Sequence, residues 1–313
     1  MPLAVSSLHR YPVKSMRADD LDTATVEPWG LAGDRRWMVV EAAEARGGRG
    51  PGTFVSARTD PALLLVRARL LEDGGLELVT GDGAASSSVT VRVPDPTDQL
   101  PVQVWGSSLT AAPQPAADAW LSDLLERPVR LVHLDDPTRR PTSPDFSAPG
   151  DRVSFADGYP LLVTTTASLA ALNDAIAEDT QGAGDPMTMA RFRPNLVVTG
   201  DGDGAEPAWA EDDWRRVRVG DTVFRAVKGC ARCVMTTFDP DTAARGREPM
   251  RTLARLRRFD GGVWFGVNLV PDLPRPTDRA TDGATSRLVL RPGDEVEVLE
   301  RVPAGAGPLR SPA

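Results

Sequence analysis

Arg225-Ala226-Val227-Lys228-Gly229-Cys230-Ala231-Arg232-Cys233-Val234-Met235-Thr236-Thr237-Phe238-Asp239-Pro240-Asp241-Thr242 is the stretch from which the rest of this chain can be read. It holds both cysteines of the protein and one of its two lysines, in a sequence that otherwise uses arginine for positive charge. Lys228 and Arg232 flank the thiols, and cations beside a thiol favour the thiolate, the form that ligates metals. Three plainer readings compete. Half of a zinc site would need His9 and His133 to complete four ligands, and both are remote in sequence. A redox dithiol would follow a strand and open a helix, whereas residues 234–238 read as a strand that turns at Asp239-Pro240-Asp241. The cysteines could also be inert and buried.

The chain has 313 residues, enough for about two domains, and 41% of them are hydrophobic. Its formal net charge of -8 argues against general nucleic-acid binding, so any anion site has to be built from a few local cations. Two cysteines exclude a disulfide framework and fit a reducing compartment. The first ten residues lack the apolar core of a signal peptide and no run is long enough to span a bilayer, so a soluble, cytoplasmic protein without a membrane partner is expected.

Short strands dominate the first half. Residues 3–11, 23–26, 37–40, 54–58, 63–71, 76–79, 89–93, 102–105 and 129–133 carry the pattern, broken by Gly, Pro and Asp turns. Spacing this even argues for a barrel or sandwich. A helix is expected over 116–126, with Trp120, Leu121, Leu124 and Leu125 on its apolar side. The Pro/Ser/Asp-rich residues 135–150 read as a linker. Beyond it, residues 161–166 form a strand and Thr165 or Thr166 caps a helix over 167–177, a helix start that also suits a phosphate or pterin oxygen. Residues 201–213 read as an acidic loop, 217–227 as a hairpin turning at Gly220-Asp221, and 288–302 as closing strands. The tail 303–313 reads as disordered.

Lys-Gly-Cys-Ala-Arg-Cys-Val-Met-Thr-Thr-Phe-Asp-Pro-Asp-Thr at 228–242 resembles the signature of MOSC-domain proteins, and other motifs agree with it in order. Tyr-Pro-Val-Lys-Ser at 11–15, Gly-Asp-Arg-Arg-Trp at 33–37 and Ser-Ala-Arg at 56–58 resemble the N-terminal β-barrel domain of the amidoxime-reducing branch. Arg-Phe-Arg-Pro-Asn at 191–195 and the Phe-Gly strand at 262–269 resemble the MOSC domain itself. The resemblance implies an α+β, β-rich fold: an N-terminal β-barrel domain over 1–134, then a MOSC β-barrel domain with flanking helices over 151–302. It implies the molybdenum cofactor, with Cys233 as metal ligand and catalytic residue. Lys14, Ser15, Arg35, Asp157, Thr165, Arg193, Asn195, Arg232 and Asn268 are the implied cofactor-binding residues, with Arg36 facing away.

Relatives of this branch often carry an aromatic residue where Asn268 stands. The activity implied is reduction of small N-hydroxylated compounds, amidoximes and hydroxylamines. With no four-cysteine iron–sulfur domain in the sequence, electrons would come from an external flavin or iron–sulfur protein. A non-catalytic carrier of the cofactor or of sulfur is the rival reading, and both use Cys233.

Overall fold

The computed structural model describes residues 2–43, 50–200, 206–273 and 288–302. It is strand-rich. The expected disordered tail at 303–313 and parts of the expected loops at 45–52 and 201–213 lie outside the described residues.

The largest sheet has nine strands. Its main path runs Asp19–Leu21, Ala4–Arg10, Leu196–Thr199, Leu161–Thr165, Gly262–Pro271, Thr222–Ala231, Trp214–Val219 and Val296–Arg301. A bridge between Ala4 and Glu295 returns the last strand towards the first, so the sheet is nearly closed. Only Leu161–Thr165 and Leu196–Thr199 pair in parallel within it, and the helix Thr166–Thr180 makes the crossover that such a pair requires. Leu8, Leu161, Val198, Trp214, Phe224 and Leu269 are among the residues that fill its core. The first strand of the chain therefore belongs to the sheet of its C-terminal half, which carries the segment after it, Tyr11 to Met16, to the junction of two cores.

The second core, with Val13, Met16, Trp37, Leu63 and Leu121, lies under two smaller sheets. One orders Trp37–Glu41, Val129–His133, Ser107–Pro113, Leu100–Val104 and Gly52–Thr53, and the other orders Arg67–Leu70, Leu76–Thr80 and Ser87–Val91. The helix Asp118–Leu125 packs here as its apolar pattern requires.

Several expected elements differ. Residues 234–238 are not a strand: Val234–Thr237 is a 3-10 turn, because the Thr236 and Thr237 hydroxyls donate to the carbonyls of Cys233 and Val234. Of the strand expected over 63–71, Pro61–Leu65 is a 3-10 helix and Arg67–Leu70 a strand. A short apolar run does not declare its period, and Pro61 suits a first turn. Residues 56–60 form a turn in place of a strand end, with the Ser56 carbonyl accepting from the Thr59 and Asp60 amides. Within the expected linker at 135–150, the buried Arg140 donates to the carbonyls of Ser154, Ala156 and Asp157. At the described end of the acidic loop, Ala210–Asp213 is a 3-10 helix in which Ala210, Glu211 and Asp212 are buried.

Candidate functional site

The cysteine pair sits where the strand Thr222–Ala231 ends against Gly262–Pro271. On the other side of Gly262–Pro271, Gly266 allows a close approach to Leu161–Thr165: it has φ +75°, and a Cβ there would lie 2.7 Å from the Val163 carbonyl oxygen. The two thiols differ. Cys230 lies on the strand, half-buried, and desolvation pushes its thiol up. Cys233 lies just past the strand, and its sulfur accepts a hydrogen bond from Arg58 Nε at 3.2 Å.

Both thiols line a cleft between the two cores. It contains about 850 Å³ of empty space, part of it open to solvent. Lys14, Ser15, Arg35, Asp157, Arg193, Asn195, Arg232, Cys233 and Asn268 all line it. Nine of the ten expected site residues are thus brought together from six separate segments. Thr165 is not: its hydroxyl caps Thr166–Thr180 through the Ser168 amide and contacts Glu211, away from the cleft. Arg36 faces away as expected, donating to the carbonyls of Leu134 and Asp135.

The backbone is strained where it turns inward. Ser15, Arg35 and Arg193 have φ of 73°, 46° and 56°, in the left-handed region that non-glycine residues seldom adopt. Such outliers persist only when the surroundings impose them, and here all three lie on one cleft. The Tyr11 ring supports two of them, with the guanidinium carbons of Arg35 and Arg193 at 4.2 and 4.3 Å from its centroid. Cation–π contacts of this kind contribute about 0.5–2 kcal/mol each. Asn195 has a different role from the one expected. Its amide donates to the His9 carbonyl and Asp34, and its oxygen accepts from Arg35 and the Leu162 amide. It holds Arg35 in place and has no valence left for a ligand.

The charges do not balance internally. Lys14 pairs with Asp157, Arg35 with Asp34, and Arg191 with Asp239. Arg193 has no carboxylate partner among the described residues, and burial lowers it to about 10, still charged at neutral pH. Arg232 gives Nε to the Phe265 carbonyl and Nη1 to the Phe192 carbonyl, while its buried Nη2 has no partner. Burial lowers Lys14 to about 8, against the pull of Asp157. Burial raises Asp157, but the charges of Lys14 and Arg58 outweigh it and hold the carboxyl far below the usual range. An acidic protein has thus gathered cations, Arg193 and Arg232 among them without a carboxylate partner in the described residues, around its two thiols.

The zinc reading fails on placement. His9 bonds Asp20 and His133 packs at a tilt against Trp37, neither in the cleft. Among the described residues no group of three or more His, Cys, Asp or Glu could hold a metal. A metal at Cys233 would have to bring other ligands with it, as a pterin dithiolene does. Lys228, expected beside the thiols, instead places Nζ 4.5 Å from the Phe146 ring centroid.

Two family models match the chain: "MOSC N-terminal beta barrel domain" over residues 3–128 and "MOSC domain" over residues 150–297. The chain belongs to the MOSC family. It is 31% identical over 269 residues to "Mitochondrial amidoxime-reducing component 1" of Homo sapiens, a match covering 82% of this chain and 72% of that one. The protein of the same name from Xenopus laevis is 30% identical, with 83% and 73% covered. "Molybdenum cofactor sulfurase" of Danio rerio is 27% identical over 94% of this chain and 35% of its own length. These are molybdenum-cofactor proteins, and the MOSC cleft fits that group: spare guanidinium donors suit its phosphate and pterin, and one free sulfur suits its metal.

Sequence reasoning missed Tyr11, Arg58, Arg140 and Trp105 around this cleft. Tyr11 and Arg58 stand inside motifs already singled out, so the motifs carried the signal. Arg140 and Trp105 had none, because their roles depend on the loop of Ala156 and Asp157, remote from both in sequence. No described helix is long and apolar enough to cross a membrane.

Proposed function

We propose that this chain is a molybdenum-dependent oxidoreductase that reduces N-hydroxylated compounds, amidoximes and hydroxylamines, with electrons from an external donor protein. The observation that carries the reading is the Cys233 sulfur facing an open, cation-lined cleft with no second protein ligand set. Similarity to proteins named amidoxime-reducing components supports the choice of substrate class.

Cys233 would hold the metal, and Arg35, Arg193 and Arg232 would hold the anionic cofactor. The bound cofactor supplies two-electron redox chemistry at the metal. Reduction of an amidoxime breaks the N–O bond and consumes two electrons and two protons, giving the amidine and water. Asp157 is ionised, so at the cleft mouth it accepts a hydrogen bond from a substrate N–H or O–H and does not serve as the acid. The two protons come from water entering the open side of the cleft, or pass through Lys14, whose value near 8 suits transfer.

The test is turnover by metal-replete protein with an artificial one-electron donor such as reduced viologen. Benzamidoxime should become benzamidine, while reduced nicotinamide alone should give none. Protein that carries the cofactor, turns over no N-hydroxylated substrate, and passes its cofactor to an apo-enzyme would establish the carrier reading instead, a role that the likeness to a cofactor sulfurase makes worth testing.

A further inference from the structure

Arg58 is the one cleft cation that touches the sulfur of Cys233 among the described residues, and the sequence motifs of the cofactor site do not account for that contact. Its guanidinium is held on three sides. Nε donates to Cys233 Sγ at 3.2 Å, Nη2 pairs with Asp157 Oδ2 at 3.0 Å, and the Trp105 ring covers a face with its centroid 4.6 Å from Cζ. Each holder is itself fixed. Arg58 lies in the turn where its amide donates to the Ser56 hydroxyl. Asp157 is clamped by Lys14, and its backbone carbonyl by Arg140. Trp105 sits at the tip between the strands Leu100–Val104 and Ser107–Pro113 with φ 53°, a left-handed conformation for a bulky residue. Its ring meets Phe54 edge-on at 4.8 Å and its Nε1 donates to Asp157 Oδ1 at 3.3 Å. A strained backbone that puts a 46%-exposed tryptophan at the cleft rim has a reason if the ring serves to aim one guanidinium.

We infer that Arg58 is a positioning residue acting through Cys233: its N–H bond to the ligand sulfur, kept in place by Trp105 and Asp157, sets the reduction potential of the metal. The inference rests on the proposed role of Cys233 as the metal's ligand. A donor and a positive charge on a ligating thiolate draw electron density from it and stabilise the reduced, more negative state of the centre. The potential therefore rises with the bond and falls without it. Trp105 has no contact with the sulfur, and one guanidinium separates the two, so its effect is smaller and of the same sign.

The experiment is a potentiometric titration of the loaded protein followed by electron paramagnetic resonance, with molybdenum content measured for every variant. Arg58→Ala should shift the potential to lower values with metal content retained. Arg58→Lys, which keeps the charge but not the planar donor, should lie between, and Trp105→Ala should shift it less, with Trp105→Phe restoring most of the wild-type value. A wild-type potential in Arg58→Ala, or in Arg58→Gln if the alanine variant does not load, overturns the inference. Failure of the underlying reading looks different: Cys233→Ser would then keep molybdenum and the wild-type resonance spectrum, whatever Arg58 does.

Discussion

Two regions of this molecule bury charge, and they resolve it in opposite ways. In the cleft, Arg193 has no carboxylate partner among the described residues and stays charged at neutral pH, and the Arg232 guanidinium keeps one buried donor, Nη2, without a partner. At the N-terminus of the helix Thr166–Thr180, Glu211 is fully buried, with Oε2 accepting from the hydroxyls of Thr165 and Ser168. Its neighbour Asp212 pairs with Arg257. Burial pushes Glu211 up, so a proton removes most of the cost of an unpaired charge. A buried carboxyl such as Glu211, whose Oε1 has no partner, can shed its charge by taking up a proton, whereas a guanidinium keeps its charge and its need for an anion.

The largest effect expected separates the two cysteines. Cys233→Ser should abolish metal retention and activity, while Cys230→Ser should leave the metal bound, as read by metal analysis of purified protein. Equal loss from both would return the pair to a zinc or dithiol role and remove the distinction between the two thiols of the cleft.

Next comes the cation without an acid. A hydrogen bond to a charged group is worth about 1.5–3 kcal/mol, so Arg193→Ala should weaken cofactor retention roughly 10- to 150-fold in a competition assay with apo-protein. Arg36→Ala should leave retention unchanged, since that side chain spends its donors on Leu134 and Asp135. Cofactor loss from Arg36→Ala alone would mean that the turn at 35–36 is oriented the other way.

On the other side of the comparison, Glu211→Ala should cost about 1–3 kcal/mol of stability in denaturant unfolding, leaving the Thr165 and Ser168 hydroxyls without their acceptor, with little change in cofactor content. Because the folded state holds this proton more tightly than the unfolded chain, the Glu211 contribution to stability falls as pH rises from the ordinary carboxylate value towards the raised one. Glu211→Gln should remove that slope. Cofactor loss in the Gln variant would show that the clamp belongs to the site after all.

The smallest effect is a pH dependence of binding. Lys14 carries its charge below its value of about 8 and loses it above, so cofactor binding to apo-protein should weaken as pH rises through about 8. One charge-assisted bond of about 1.5 kcal/mol corresponds to roughly a tenfold change. Lys14→Arg, which stays charged, should flatten the profile, and an unchanged slope would assign the dependence to another group.

The sequence by itself determined the family, the β-rich architecture and nine of the residues that line the cleft, because all of them but Asp157 are carried by short motifs whose spacing is local. It also determined that Arg35 and Arg36 diverge, since neighbouring side chains in a turn or strand cannot share a direction. Only the tertiary structure decided which partner each side chain meets. Lys228 stood beside the thiols in sequence and meets Phe146, whereas Arg58, remote in sequence, meets Cys233. Thr165 could cap a helix or hold a phosphate, and the burial of Glu211 against it chose the cap. Asn195 kept its place in the cleft, but four hydrogen bonds across the two cores used up its amide. A motif fixes the type of group and where the backbone turns, but which valences stay free depends on remote segments that pack against it.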